Sequence, residues 1–151
     1  MGKIMLAIGA AAVMAATATA SDQTDVMATI DRFVVAFNKG DSAAAVAECT
    51  DQAAIIDEFA PHEWHGAGAC GAWLAAWGAD AQQKGITDAI VTLGKPWHVD
   101  VTGDRAYVVV PANYIWKQKG KPMKETNSIL AVSLQKGAAG WKMTGWSWAK
   151  H

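Results

Sequence analysis

The chain has 151 residues, 52% of them hydrophobic and 18% charged, with a formal net charge of −1. That length supports one good core rather than two ordinary domains. A near-neutral balance lacks the basic footprint that nucleic acid demands, and so apolar a chain buries too much surface to stay disordered.

Residues 1–20 begin with one charge, Lys3, continue through an apolar run from Ile4 to Ala16 and end on Ala18-Thr19-Ala20. A basic start, an apolar middle and a small-residue cleavage site is the order of a secretory leader. The run falls short of the roughly 20 residues that cross a bilayer. The expectation is a leader over 1–20 and a secreted or periplasmic domain over 21–151, with no membrane contact once the leader is removed. Loss of Lys3 takes the formal charge from −1 to −2. In an oxidising compartment Cys49 and Cys70 read either as a disulfide, worth about 3 kcal/mol, or as two buried thiols.

Asp25 to Lys39 carries Val26, Ile30, Phe33, Val34 and Phe37 at helical spacing. Gly40 stops that helix, and Asp41 is an N-cap for a second one over Ser42 to Glu48. Ala53 to Ile56 is a short buried strand running into Asp57-Glu58, and Pro61 to Gly66 reads as a loop. A third helix spans about Ala67 to Lys84, with Cys70, Trp73, Leu74, Trp77 and Ala81 on one face and Gly85 as its stop. Beyond Ile86 the period changes to two, predicting strands over 87–101, 105–118, 123–136 and 141–149. Pro96 and Pro111 interrupt two of these runs and mark bulges or edges in bent strands. Helices followed by an antiparallel meander make an α+β domain, with helices on one face of the sheet.

That order resembles the nuclear transport factor 2-like superfamily, which includes ketosteroid isomerase and SnoaL-type polyketide cyclases. Phe37-Asn38-Lys39-Gly40-Asp41, the stretch from Ile55-Ile56-Asp57-Glu58 to Gly66, and Gly140-Trp141-Lys142-Met143 carry the resemblance. It spans nearly all of residues 25–149, and it implies three N-terminal helices closing a cone-shaped curled sheet around an apolar pocket. It says much less about activity, because this fold hosts many unrelated functions.

Asp57 ends an apolar strand, where desolvation raises a carboxyl pKa and makes it a better general base. Ketosteroid isomerase has its general base at a similar place. In that comparison Phe33 and Leu130 stand where the isomerase has its hydrogen-bond donors, and neither can donate, so steroid isomerisation is not expected. His98, alternating with Trp97 and Val99, is a second acid–base candidate if its face is the inner one. His62-Glu63-Trp64-His65 lacks a third metal ligand and is not the HExxH helix motif, so Trp64 and His65 read as rim residues.

The eight tryptophans mix core filling with ligand contact. Phe33, Phe37, Trp77, Tyr114, Trp116 and Trp148 join the two rim residues as ligand-binding candidates. Tyr114 and Trp116 share one face of their strand, and which face is inward stays open. The leading expectation is an exported protein that binds a small hydrophobic or aromatic molecule, with no metal or cofactor. The alternatives are a proton-transfer enzyme of isomerase, dehydratase or cyclase type, and an interaction module that forms a homodimer through its sheet face.

Overall fold

Helix α1 (Gly9–Asn38) and helix α2 (Ser42–Ala47) lead into strand β1 (Cys49–Ile56), strand β2 (Glu63–Ala67) and helix α3 (Ala69–Lys84). Five strands follow: β3 (Ile86–Leu93), β4 (His98–Thr102), β5 (Arg105–Gln118), β6 (Lys121–Gly137) and β7 (Gly140–Ala149). The computed structural model describes residues 9–151, with side chains from Ala20 onward. Residues 1–8 of the expected leader lie outside the described residues. Among the described residues, no helix is long and apolar enough to cross a membrane.

The helical spacing of Val26, Ile30, Phe33 and Val34 buries one face of α1 against the sheet. The helix runs longer than its apolar stripe, reaching back through alanine-rich sequence of high helical propensity. Its C-terminus is tied down by Asn38, whose side-chain amide exchanges two 2.8 Å hydrogen bonds with the backbone of Val91. That clamp occupies backbone groups of edge strand β3, which would otherwise be free to pair elsewhere. Asp41 accepts from the Ala44 N–H at 3.0 Å and caps α2. Cys49 and Cys70 are disulfide-bonded, joining the start of β1 to the first turn of α3.

The strands form one seven-stranded sheet in the order β2-β1-β7-β6-β5-β3, with β4 also pairing β5. All neighbours are antiparallel except β1 and β7, so the sheet is mixed, curled and unclosed. The sequence reading differs at two places. The expected loop 61–66 is largely β2, in which Trp64 points inward opposite Ile55 while Glu63 and His65 point out. Its alternation is only a few residues long, and pairing with β1 rather than propensity makes it a strand. The expected strand 87–101 is two strands, broken at Gly94-Lys95-Pro96. Both pair with β5, β3 along its second half and β4 along its first. Pro111 sits opposite the break, with its carbonyl accepting from the Gly94 N–H at 2.8 Å. Its missing N–H therefore faces a gap in the ladder and costs no strand bond.

Of the four register shifts in the sheet, two lie between the long strands β5, β6 and β7. One lies between Ala112 and Tyr114 where β5 meets β6, the other between Ser133 and Leu134 where β6 meets β7. An extra residue on one strand bends it and moves later side chains to the opposite face. Gly145, at the second shift, lies against the backbone of Ala54 on the parallel strand, and a Cβ there would collide with the Ala54 carbonyl oxygen. Gly145→Ala is expected to lower unfolding free energy in urea by about 2–4 kcal/mol, because rigid backbone must move aside. Unchanged stability would show that β1 and β7 separate easily.

Candidate functional site

Between the inner face of the sheet and helices α1 and α3 lies a cavity of about 370 Å³. Phe33 and Phe37 come from α1, Trp73 and Trp77 from α3, Tyr114 and Trp116 from β5, and Trp146 and Trp148 from β7. Helical spacing places the first two pairs on facing sides, and strand alternation places the other two. The rings pack on one another. Phe37 meets Trp77 edge-on at 4.7 Å, Trp73 meets Trp146 edge-on at 5.1 Å, and Tyr114 stacks on Trp116 at 4.5 Å. Five of the eight tryptophans line this one space.

Asp57 lies in the same wall, just beyond the end of β1. Its Oδ2 accepts from the Trp73 indole N–H at 2.9 Å and its Oδ1 from the Glu58 backbone N–H at 2.6 Å. Burial raises its pKa to about 6 and outweighs these two hydrogen bonds, which favour the charged form. Among the described residues, no cation pairs with it. A carboxyl group with that balance changes protonation near neutral pH and can both take and return a proton.

Glu125 is the contrasting case. The shift between Ala112 and Tyr114 turns it inward, where it is buried. Burial disfavours its charge, but hydrogen bonds from Ser128, from the Trp148 indole N–H at 2.8 Å and from Lys150 outweigh that and lower its pKa. Lys150 also reaches Glu58 at 3.0 Å, linking the β1–β2 turn to β6 across the cavity rim. Glu125 is therefore a fixed structural charge, and Asp57 is the titratable one.

Comparison with known proteins gives the family. The SnoaL-like domain matches residues 26–147, most of the chain. The chain belongs to the SnoaL-like domain family. Solved structures of similar shape include an NTF2-like protein with a cystatin-like fold from Novosphingobium aromaticivorans. It is 18% identical with a TM-score of 0.75, over 95% of this chain and 92% of that one. A ketosteroid isomerase-like protein from Erwinia carotovora atroseptica is 20% identical with a TM-score of 0.66, over 85% and 95%. An NTF2-like superfamily protein from Salmonella enterica serovar Typhimurium is 13% identical with a TM-score of 0.74, over 87% and 92%. At these identities the likeness is one of fold. No curated protein matches the chain.

Within this SnoaL-like domain the residues singled out from sequence divide into two groups. Asp57, Phe33, Phe37, Trp77, Tyr114, Trp116 and Trp148 all line the cavity, and so does Leu130. His98, Trp64 and His65 do not. His98 and Asp100 point outward from β4, 3.9 Å apart and largely solvated, because Val99 and Val101 take the inner face. Trp64 packs inside against Phe59, their rings 5.0 Å apart, while His65 points to the outer surface of β2. Among the described residues, no cluster of three His, Cys, Asp or Glu side chains could hold a metal ion.

Three contributions were not read from sequence: Phe59 in the wall, Lys150 at the rim and the Trp73 bond to Asp57. The one-turn spacing of Trp73 and Trp77 was the available signal for the last. Which of the two would meet the carboxylate depends on how α3 crosses β1.

Asp57 gives a pH-dependent prediction. With its pKa raised from 3.8 to about 6 in the folded state, that state holds the proton more tightly than the unfolded chain. Below about pH 4 both states are protonated and nothing is lost. Stability falls as pH rises towards 6, and the full cost of the buried charge remains above it. Asp57→Asn, which keeps an acceptor for Trp73, should gain up to about 3 kcal/mol on the wild type between pH 4 and pH 7. Urea unfolding at both pH values checks this; an equal difference at the two would contradict it.

Proposed function

We propose that this protein binds one small, flat, mostly apolar organic molecule in its cavity. The observation that carries this reading is the concentration of aromatic rings around an internal space, beside a smaller set of charged groups. A core built only for stability fills its volume at crystal-like density, whereas about 370 Å³ remains open here. Aromatic walls of this kind favour ring systems, which gain both dispersion and face-to-edge contacts. The Cys49–Cys70 disulfide supports placing the protein in an oxidising, exported compartment.

A second reading adds chemistry. Asp57 supports a proton-transfer role of isomerase, dehydratase or cyclase type, because it is an unpaired carboxyl group in that wall with a pKa near 6. Phe33 and Leu130, in the same wall, offer no hydrogen bond to a developing charge.

Tryptophan emission reads occupancy directly, since most indoles in the chain line the site. Titration with tetralin or naphthalene should quench emission saturably. Trp77→Ala should weaken that binding about tenfold by removing one side of the wall. Trp97→Phe, on an exposed ring outside the cavity, should leave it unchanged. Emission that is flat across such bicyclic hydrocarbons would refute the binding reading.

A further inference from the structure

Among the described residues, carboxylates outnumber cations around the cavity. Asp57, Glu58, Asp80, Lys84 and Lys150 line it, and Glu125 is buried beside it. Both lysines are already paired. Lys84 meets Asp80 at 2.8 Å, and Lys150 reaches Glu58 at 3.0 Å and Glu125 at 3.2 Å. Asp57 is the acid left over, with no cation among the described residues to pair with it. The excess is felt at two separate groups. After burial itself, the charges of Glu58 and Glu125 add to the upward push on the Asp57 carboxyl. Again after burial, the same two acids and Asp57 push up the Tyr114 phenol, whose oxygen is hydrogen-bonded to the Trp77 indole.

A carboxylate inside a protein is normally paired with a positive charge. Asp57 accepts one hydrogen bond on each oxygen, from the Trp73 N–H and from the Glu58 backbone N–H. An ionised carboxylate has about four acceptor positions, so each oxygen keeps one open. The ring bonded to it, Trp73, lies 6.1 Å from Phe33 and 5.1 Å from Trp146 between centroids. Indole and phenyl faces carry negative potential and attract a cation, most strongly where water is excluded.

We propose that the cavity takes a flat cyclic amine in its protonated form. The ammonium group donates to Asp57 beside the Trp73, Phe33 and Trp146 rings, and the ring system fills the apolar remainder. This rests on the cavity reading above and names the ligand class for it. An ammonium N–H meets acceptors here, an anionic ligand meets like charge, and a hydrocarbon leaves Asp57 without a counter-ion. Binding of the cation displaces the proton that Asp57 holds at acid pH in the ligand-free protein.

The test uses three probes on one bicyclic frame: 2-aminotetralin, its neutral isostere 2-methyltetralin, and tetralin-2-carboxylate. Titration by tryptophan emission at pH 7.5 should show the amine binding the wild type at least tenfold more tightly than the methyl probe. The carboxylate should bind more weakly than either. At pH 5 about nine-tenths of Asp57 is protonated in the free protein, so amine affinity should fall about tenfold while methyl-probe affinity holds. Asp57→Asn should bring the amine-to-methyl ratio to one or below at both pH values, with methyl-probe affinity within twofold of the wild type. Glu58→Gln, at an acid already held by Lys150, should lower that ratio less than threefold. If Asp57→Asn misfolds, the wild-type pH comparison decides alone. Equal wild-type affinities for amine and methyl probe, a carboxylate that binds best, or a ratio that survives in Asp57→Asn would overturn the ammonium site and leave the cavity reading standing. Failure of all three probes to bind would overturn the cavity reading and the ammonium site with it.

Discussion

Trp73 is the contact on which most of the site depends. Its ring packs on Phe33 and Phe37 of α1, on Phe59 after β1 and edge-on to Trp146 of β7. Its N–H is at the same time a hydrogen-bond donor to Asp57. One side chain thus joins two helices, the sheet and the titratable carboxyl group. A large ring with a single donor suits that position, since its body is buried in apolar contact while its one polar atom needs one acceptor. The disulfide at the first turn of α3 fixes the helix one turn before Trp73, which limits how far the ring can drift from the carboxylate.

The cavity owes its polar features to imperfections in the sheet. A strand in perfect register keeps alternate side chains on one face along its whole length. On β6, Ser128, Leu130, Val132 and Leu134 follow that rule, and the shift beside Asn127 brings odd-numbered Glu125 onto the same inner face. Asn127 takes a positive φ there, and its backbone N–H donates to the Asn113 side chain at 3.2 Å. On β7 the inner face passes from Trp141 and Met143 to Trp146 and Trp148. These irregularities bend the long strands around the space and at the same time choose which side chains line it.

Asp57 in the cavity wall and Glu125 buried beside it behave differently because their surroundings differ. Glu125 receives three donors and stays charged, while Asp57 receives two and, among the described residues, no cation. Desolvation acts on both, and it prevails only where compensation is incomplete. Lys150 separates the two cases by pairing with Glu125 and Glu58 but not with Asp57. The arrangement keeps Asp57 ready to exchange a proton and uses Glu125 to hold Lys150.

The amino-acid sequence by itself determined the α+β order, the buried faces of α1 and α3 and the strand rhythm after Ile86, because helical and strand periods are local properties. Asp57 stood out from sequence as a polar residue ending an apolar strand. The inward direction of Tyr114 and Trp116 did not, since alternation says that two residues share a face and not which face is covered. His98 and His65 show the same limit, their strands placing them on the outer side. Strand β2, the break at Gly94-Lys95-Pro96 and the inward turn of Glu125 were decided only by the tertiary structure. Each depends on which strand lies alongside, and pairing across the sheet is a long-range choice that no short stretch of sequence contains.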